Sequence, residues 1–252
     1  MKRILGALSI CLSIAAFCEA TSLSHFDYGA AWVLPIAFIS DSKTSPADYI
    51  ILGREAFGND AGTYDAFGGK RDRAEEKHCI DTAAREFAEE ALSHETLGMS
   101  HHEVKHYLEL AQGNTLDILA IHDLKYHART VTYITRFSQD SIQMLIKNFP
   151  AARVKAHHHH EKEKDALALV KLSDFEQAVQ SSSSNSGVTV PATVVNLQGT
   201  TSQEVIPLRP IFVRLLRCYV ENKPYEAGDD SRIRFYTIGS DSRMAEGQAN
   251  AW

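Results

Sequence analysis

The chain has 252 residues, with Lys+Arg 26 against Asp+Glu 32, a formal net charge of -6 and 44% hydrophobic residues. That length allows one large domain or two small ones with ample material for a core, and the composition is neither disordered nor membrane-embedded. The acidic balance argues against general nucleic-acid binding, which needs a basic face, and leaves room for a local basic pocket that takes a phosphate-bearing ligand.

The N-terminus, MKRILGALSICLSIAAFCEA, opens on Lys2 and Arg3, runs apolar from Ile4 to Phe17 and ends in Cys18-Glu19-Ala20. This is the layout of a secretory signal peptide. The apolar run is too short for a comfortable bilayer span. Residues 1–20 are therefore expected to be cleaved after Ala20, leaving a periplasmic or secreted protein with no stable membrane anchor. A buried N-terminal helix is the competing reading. The mature chain keeps Cys79 and Cys218, and without a Cys-x-x-Cys motif two unpaired, partly buried thiols are expected.

In chain order, AAWVLPIAFIS (30–40) and DYIILGRE (48–55) read as strands, rich in apolar and β-branched residues. Phe67-Gly68-Gly69 closes a short extended piece. A helix is expected from about Thr82, capped by Asp81 or Thr82, with Ile80, Ala84, Phe87 and Ala91 facing inward. HHEVKHYLELAQ is a second helix, TLDILAIHDL and ARTVTYITRFS a strand pair, and residues 140–148 a third helix. DALALVKL (165–172) is a strand, and Ser173 is expected to cap a short helix through Gln180. SSSSNSG (181–187) reads as a flexible loop, VTVPATVVNL as a further strand, residues 208–221 as a final helix, and residues 225–252 as a polar tail. No boundary divides residues 21–224, which are expected to form one domain.

The stretch REFAEEAL carries the chemistry. On a helix, Glu86, Glu89 and Glu90 share one face, because residues three and four apart are neighbours. Like charges at that spacing destabilise a helix by roughly 0.2–0.5 kcal/mol per pair, unless a divalent cation sits among them. Mg²⁺ and Mn²⁺ prefer oxygen ligands, and Arg85, always protonated, offsets charge and holds a carboxylate in place. A solvated acidic helix face is the commonest meaning of such a run, but it does not account for the Gly-Gly turn just upstream.

GGKRDRAEEKHCIDTAAREFAEEAL resembles the Nudix box, G-x5-E-x7-R-E-U-x-E-E-x-G-U with U a bulky apolar residue. Gly69 and Glu75 keep the first spacing, and residues 85–90 fit the central hexad. The preceding YIILGRE and FGG are similar to the strand and turn that introduce the box. Two features depart from it. Nine residues rather than seven separate Glu75 from Arg85, so that Glu76 is a second candidate for the first glutamate, and Leu92 and Ser93 stand where Gly and an apolar residue are expected. Leu92 suggests that the helix runs on.

The resemblance implies an α/β fold, an α-β-α sandwich with a mixed β-sheet. It also implies hydrolysis of the pyrophosphate bond of a nucleoside diphosphate linked to another group, X, such as a nucleotide sugar or ADP-ribose. The alternative is a ligand-binding or interaction protein of the same fold without turnover. Carried over, Glu86 and Glu90 would be the principal ligands of Mg²⁺ or Mn²⁺ with Glu89 completing the cluster, Arg85 would orient them, and Gly69 and Lys70 would face a small-molecule diphosphate rather than a nucleic-acid duplex. The general base is expected just before the later strand, at Glu161 or Glu163. The neighbouring run His157 to His160 reads as a surface or substrate-facing loop that also offers adventitious Zn²⁺ or Ni²⁺ binding. His102 and His106, one turn apart, read as a solvated helix face.

Overall fold

The structure, a computed structural model, describes residues 23, 26–40, 46–72, 74–110, 115–221, 233–239 and 244–245. The expected signal peptide lies outside these residues, as does most of the expected polar tail. No helix among the described residues is long and apolar enough to cross a membrane.

The first strand, β1 (Ala30–Ile39), is buried on both faces, with Val33, Leu34, Ile36 and Ala37 all shielded from solvent. It occupies the middle of a mixed sheet. β1 runs parallel to β6 (Ala128–Arg136) on one side. On the other it pairs antiparallel first with β4 (Phe67–Lys70) and then with β2 (Ala47–Glu55). Pro35, which has no N–H to donate, falls between the last β4 pair, at Val33, and the first β2 pair, at Ile36. A central strand accommodates it there because its partner is changing.

β2 continues past β1 to pair with β3 (Tyr64–Asp65), and along its other edge it pairs with β7 (Lys164–Lys171). β5 (Thr115–Asp123) forms the expected hairpin with β6. β8 (Thr189–Val195) and β9 (Thr201–Pro207) extend the sheet beyond β7. β10 (Ile233–Ile238), within the stretch expected to be a polar tail, pairs parallel with β5, and β11 (Met244–Ala245) pairs with it. The order is β11-β10-β5-β6-β1-β2-β7-β8-β9.

Helices cover both faces, giving the expected α-β-α layering. On one face lie α1 (Cys79–Glu90), α2 (Ser93–Leu97), α3 (His101–Leu110) and α4 (Gln139–Lys155), packed through Phe87, Val104, Leu145 and Phe149. On the other lie α5 (Leu172–Ser181) and α6 (Pro210–Glu221), packed through Phe175, Val179, Phe212 and Leu216. Cys79 and Cys218 belong to these two different cores, so no disulfide joins them.

Three local expectations are corrected. α4 does not stop at residue 148 but passes through Pro150 to Lys155. A proline costs a helix interior about 3 kcal/mol, and the burial of Phe149 and Ala152 on the same side offsets it. The serine loop is not free: Arg217 donates to the carbonyls of Val179 at 2.7 Å, Ser182 at 2.9 Å and Ser184 at 3.1 Å, and to Asn185 Oδ1 at 2.8 Å.

The third concerns Leu92. The helix does not run on: α1 ends at Glu90, Ala91 is its C-cap, and Leu92 adopts the left-handed conformation with φ 53 and ψ 47. This is a backbone that glycine adopts without strain. A leucine there bears about 1–2 kcal/mol of strain, but its side chain is 3% exposed in the helical core, and deleting a buried leucine costs about 2–5 kcal/mol. Burial wins. Leu92→Gly is therefore expected to lose roughly 1–3 kcal/mol in urea unfolding despite the relieved backbone. A variant more stable than wild type would show that strain dominates.

Candidate active site

The site begins with how α1 is placed. Ala83, Ala84, Phe87 and Ala91 are fully buried on the side facing the sheet, so Glu86, Glu89 and Glu90 fall together along one edge. The helix starts at Cys79 with His78 as its cap, three residues before the expected start at Thr82; Asp81 accepts from the His78 N–H at 2.9 Å and pairs with Lys105 at 2.6 Å.

The loop before it resolves the longer spacing. Glu75 is exposed, whereas Glu76 is buried. Glu76 accepts from the Asp72 N–H at 2.7 Å, Thr82 Oγ1 at 2.6 Å and Arg85 Nε at 2.6 Å. The second glutamate of the pair thus holds the arginine, and the extra residues stay in the loop. Arg85 also donates to Glu89 at 3.0 Å, Glu86 at 2.9 Å and the Lys70 carbonyl at 3.0 Å. One guanidinium faces three carboxylates, and burial, which would lower its pKa, is outweighed by them.

The two glycines have separate tasks. A Cβ on Gly69 would collide with the Glu86 carboxylate, and one on Gly68 with the Trp32 ring and the Ala31 carbonyl. Gly68 also donates its N–H to Glu90 Oε2 at 2.7 Å. Lys70 meets the cluster through its carbonyl, and its side chain is exposed.

Glu90 leads into a network that the sequence did not disclose. Lys164 is fully buried, with its ammonium 2.5 Å from Asp65, 2.7 Å from Glu55 and 3.6 Å from Glu90. Arg209, just before α6, reaches Asp65 at 2.9 Å, Glu55 at 3.2 Å and Asp60 at 2.8 Å. Gly53 leaves room for the lysine stem, since a Cβ there would lie 2.7 Å from Lys164 Cδ. Burial works against the Lys164 charge, but Asp65, Glu90 and Glu55 raise its pKa well above the ordinary value.

The segment before β7 separates the two base candidates. Glu161 accepts from the backbone N–H groups of His157 at 2.9 Å and His158 at 3.1 Å. Burial would raise its pKa slightly, yet these hydrogen bonds hold it below the ordinary value. Glu163 is half-buried and its backbone is fixed, its carbonyl accepting from the Ala56 N–H at 2.8 Å. Its charge is felt at Glu86. The structure thus brings Arg85, Glu86, Glu89, Glu90, Gly69 and Glu163 into one neighbourhood and ties Glu161 to its own turn. His102 and His106 are exposed on α3.

Burial raises the Glu86 pKa; Arg85 opposes this, and Glu89 and Glu163 add to it. Burial raises Glu90 further, against Lys164. Glu55 is raised for the same first reason. These carboxyls bind protons in the folded protein at pH values where the unfolded chain has released them, so stability rises as pH falls from neutrality towards their ordinary value of 4.5. Asp81, Asp123 and Glu161 have depressed values and oppose this only in stronger acid. The metal-free protein is expected to melt at a higher temperature at about pH 5.5 than at about pH 7.5. A flat or opposite profile in chelator would show these groups to be ordinary carboxylates.

No protein-family model and no curated protein matches the sequence. Solved structures do match. The chain is 12% identical to NrtR of Shewanella oneidensis, over 59% of this chain and 54% of that one, with a TM-score of 0.33; it thus spans about half of NrtR. It is 16% identical to a mutT/nudix family protein from Listeria innocua, over 61% of this chain and 82% of that one, with a TM-score of 0.30. Against RenU, a Nudix hydrolase from M. smegmatis, the identity is 14%, over 77% of this chain and 84% of that one, with a TM-score of 0.32. The Listeria innocua and M. smegmatis proteins are described as a mutT/nudix family protein and a Nudix hydrolase, and a further matching structure is that of the NUDIX domain of NrtR with ADP ribose.

Proposed function

We propose that this protein is a metal-dependent hydrolase of the Nudix kind, cleaving the pyrophosphate bond of a nucleoside diphosphate linked to X. The observation that carries the reading is the single Arg85 guanidinium gathering Glu76, Glu86 and Glu89 beside a glycine that leaves the Glu86 carboxylate room. Such an oxygen-only, negatively charged donor set suits Mg²⁺ or Mn²⁺. Glu86 and Glu89 would hold the ion, with Glu90 behind them. When bound, the ion neutralises phosphate oxygens and lowers the pKa of a coordinated water. Arg85 orients the carboxylates, Gly69 lets the diphosphate approach the backbone, and Glu163 accepts the proton of the attacking water. Export through the N-terminal segment would place the substrate outside the cytoplasm.

A second reading, a binding protein without turnover, is favoured by Lys164: Glu90 is buried and already has a cation beside it. The two are separated by screening nucleotide sugars, ADP-ribose, dinucleoside polyphosphates and nucleoside triphosphates with Mg²⁺ or Mn²⁺, for turnover and for a shift in melting temperature. The hydrolase is expected to turn over at least one class. Its Glu86→Gln variant should stay folded, lose the Mg²⁺-dependent stabilisation and lose most of its activity. A ligand that stabilises the chain with no turnover supports the binding protein. Neither turnover nor metal-dependent stabilisation would remove the first reading.

A further inference from the structure

Glu163 has a second set of neighbours. Its Oε1 lies 3.4 Å from His160 Nδ1 and 3.9 Å from His159 Nδ1. The three donor atoms all lie within 4.8 Å of one another. With zinc–nitrogen distances of 2.0–2.1 Å, the edge of a tetrahedral zinc site is about 3.3 Å, so small rotations bring these atoms to ligand spacing.

The turn that carries them is built in advance. Glu161 fastens the His157 and His158 N–H groups. The Lys162 N–H donates to the His159 carbonyl at 2.9 Å, and Arg153 takes the Lys162 and Lys164 carbonyls at 2.9 and 2.7 Å. The His159 ring packs on Phe57, with centroids 5.4 Å apart. Both imidazoles are exposed, so an ion has access from solvent.

The geometry points to a separate site at His159, His160 and Glu163 for an imidazole-preferring divalent cation of the zinc class, whose occupancy withdraws Glu163 from the hydrolytic site. Mixed imidazole and carboxylate donors suit Zn²⁺, whereas Glu86 and Glu89 offer oxygen alone. The three protein ligands leave a fourth position to water. The ion therefore acts as an inhibitor that competes for one carboxylate while leaving the Mg²⁺ ligands untouched. The site stands on geometry alone; the inhibitory role rests on the hydrolase reading above.

The test uses the full chain without an affinity tag, titrated calorimetrically with ZnCl₂ in the presence of Mg²⁺. One strong zinc equivalent is expected, weakened at least about tenfold in the double variant His159→Ala, His160→Ala and little changed in His157→Ala, His158→Ala. Equal affinity in the first variant, or loss confined to the second, would overturn the site. For the inhibitory role, zinc should suppress Mg²⁺-supported turnover in the wild type and at least about tenfold less in the His159/His160 variant, each compared with its own zinc-free rate. Equal inhibition of both would overturn that role while the calorimetry stands. If no substrate is turned over, the role falls with the hydrolase reading and calorimetry alone decides the site.

Discussion

Lys164→Met is expected to destabilise the protein by about 3–5 kcal/mol, the usual cost of removing one partner from a buried ionic group. Methionine matches the lysine stem in length and suits a fully buried position, so shape is nearly conserved. What is lost is the ammonium 2.5 Å from Asp65, 2.7 Å from Glu55 and 3.6 Å from Glu90. Arg209 also reaches the first two, Asp65 and Glu55. Among the described residues Glu90 then keeps the Gly68 N–H, and it must either stay charged without a cation or take up a proton. Protonation limits the damage at low pH, so the loss in urea unfolding should be largest above neutrality and shrink towards about pH 5. Adding Glu90→Gln to Lys164→Met should recover part of the loss, and the double-mutant cycle measures the coupling. A Lys164→Met protein within about 1 kcal/mol of wild type at pH 7.5 would mean that the carboxylates are neutral in the native state.

This network also marks where sequence reading stopped. Strands and helices with long apolar periodicity, such as AAWVLPIAFI and REFAEEAL, were legible because burial dictates their pattern. The carboxylate edge of α1 was legible too, since i, i+3 and i+4 spacing is local information. The partners of those carboxylates were not. Glu55, Asp65, Lys164 and Arg209 come from four separate segments, and no local pattern marks a lysine that will be enclosed by three acids. The same limit hid β9 and β10, whose polar or half-buried residues pair through the backbone. It also left open whether Glu75 or Glu76 meets Arg85, which depends on how a loop closes. Leu92 failed for a different reason: propensity favours helix for leucine, and here tertiary burial places it in a conformation that propensity disfavours.

Glu163→Gln is expected to lower kcat by roughly 10²–10⁴-fold with a modest change in KM, on the substrate that the screen identifies. Glutamine keeps the shape of the side chain, and the backbone stays anchored through the Ala56 N–H, so the change removes a proton acceptor without moving the turn. Glu161→Gln provides the contrast. That carboxylate is occupied by the His157 and His158 N–H groups, so its replacement should loosen the turn and change the rate by no more than about tenfold. The two glutamates are two residues apart and similar in sequence context, and their surroundings in the fold distinguish them. Unchanged rates in both variants would assign the base elsewhere in the chain. A larger loss at Glu161 than at Glu163 would mean that the order of the turn, rather than the Glu163 carboxylate, controls the reaction.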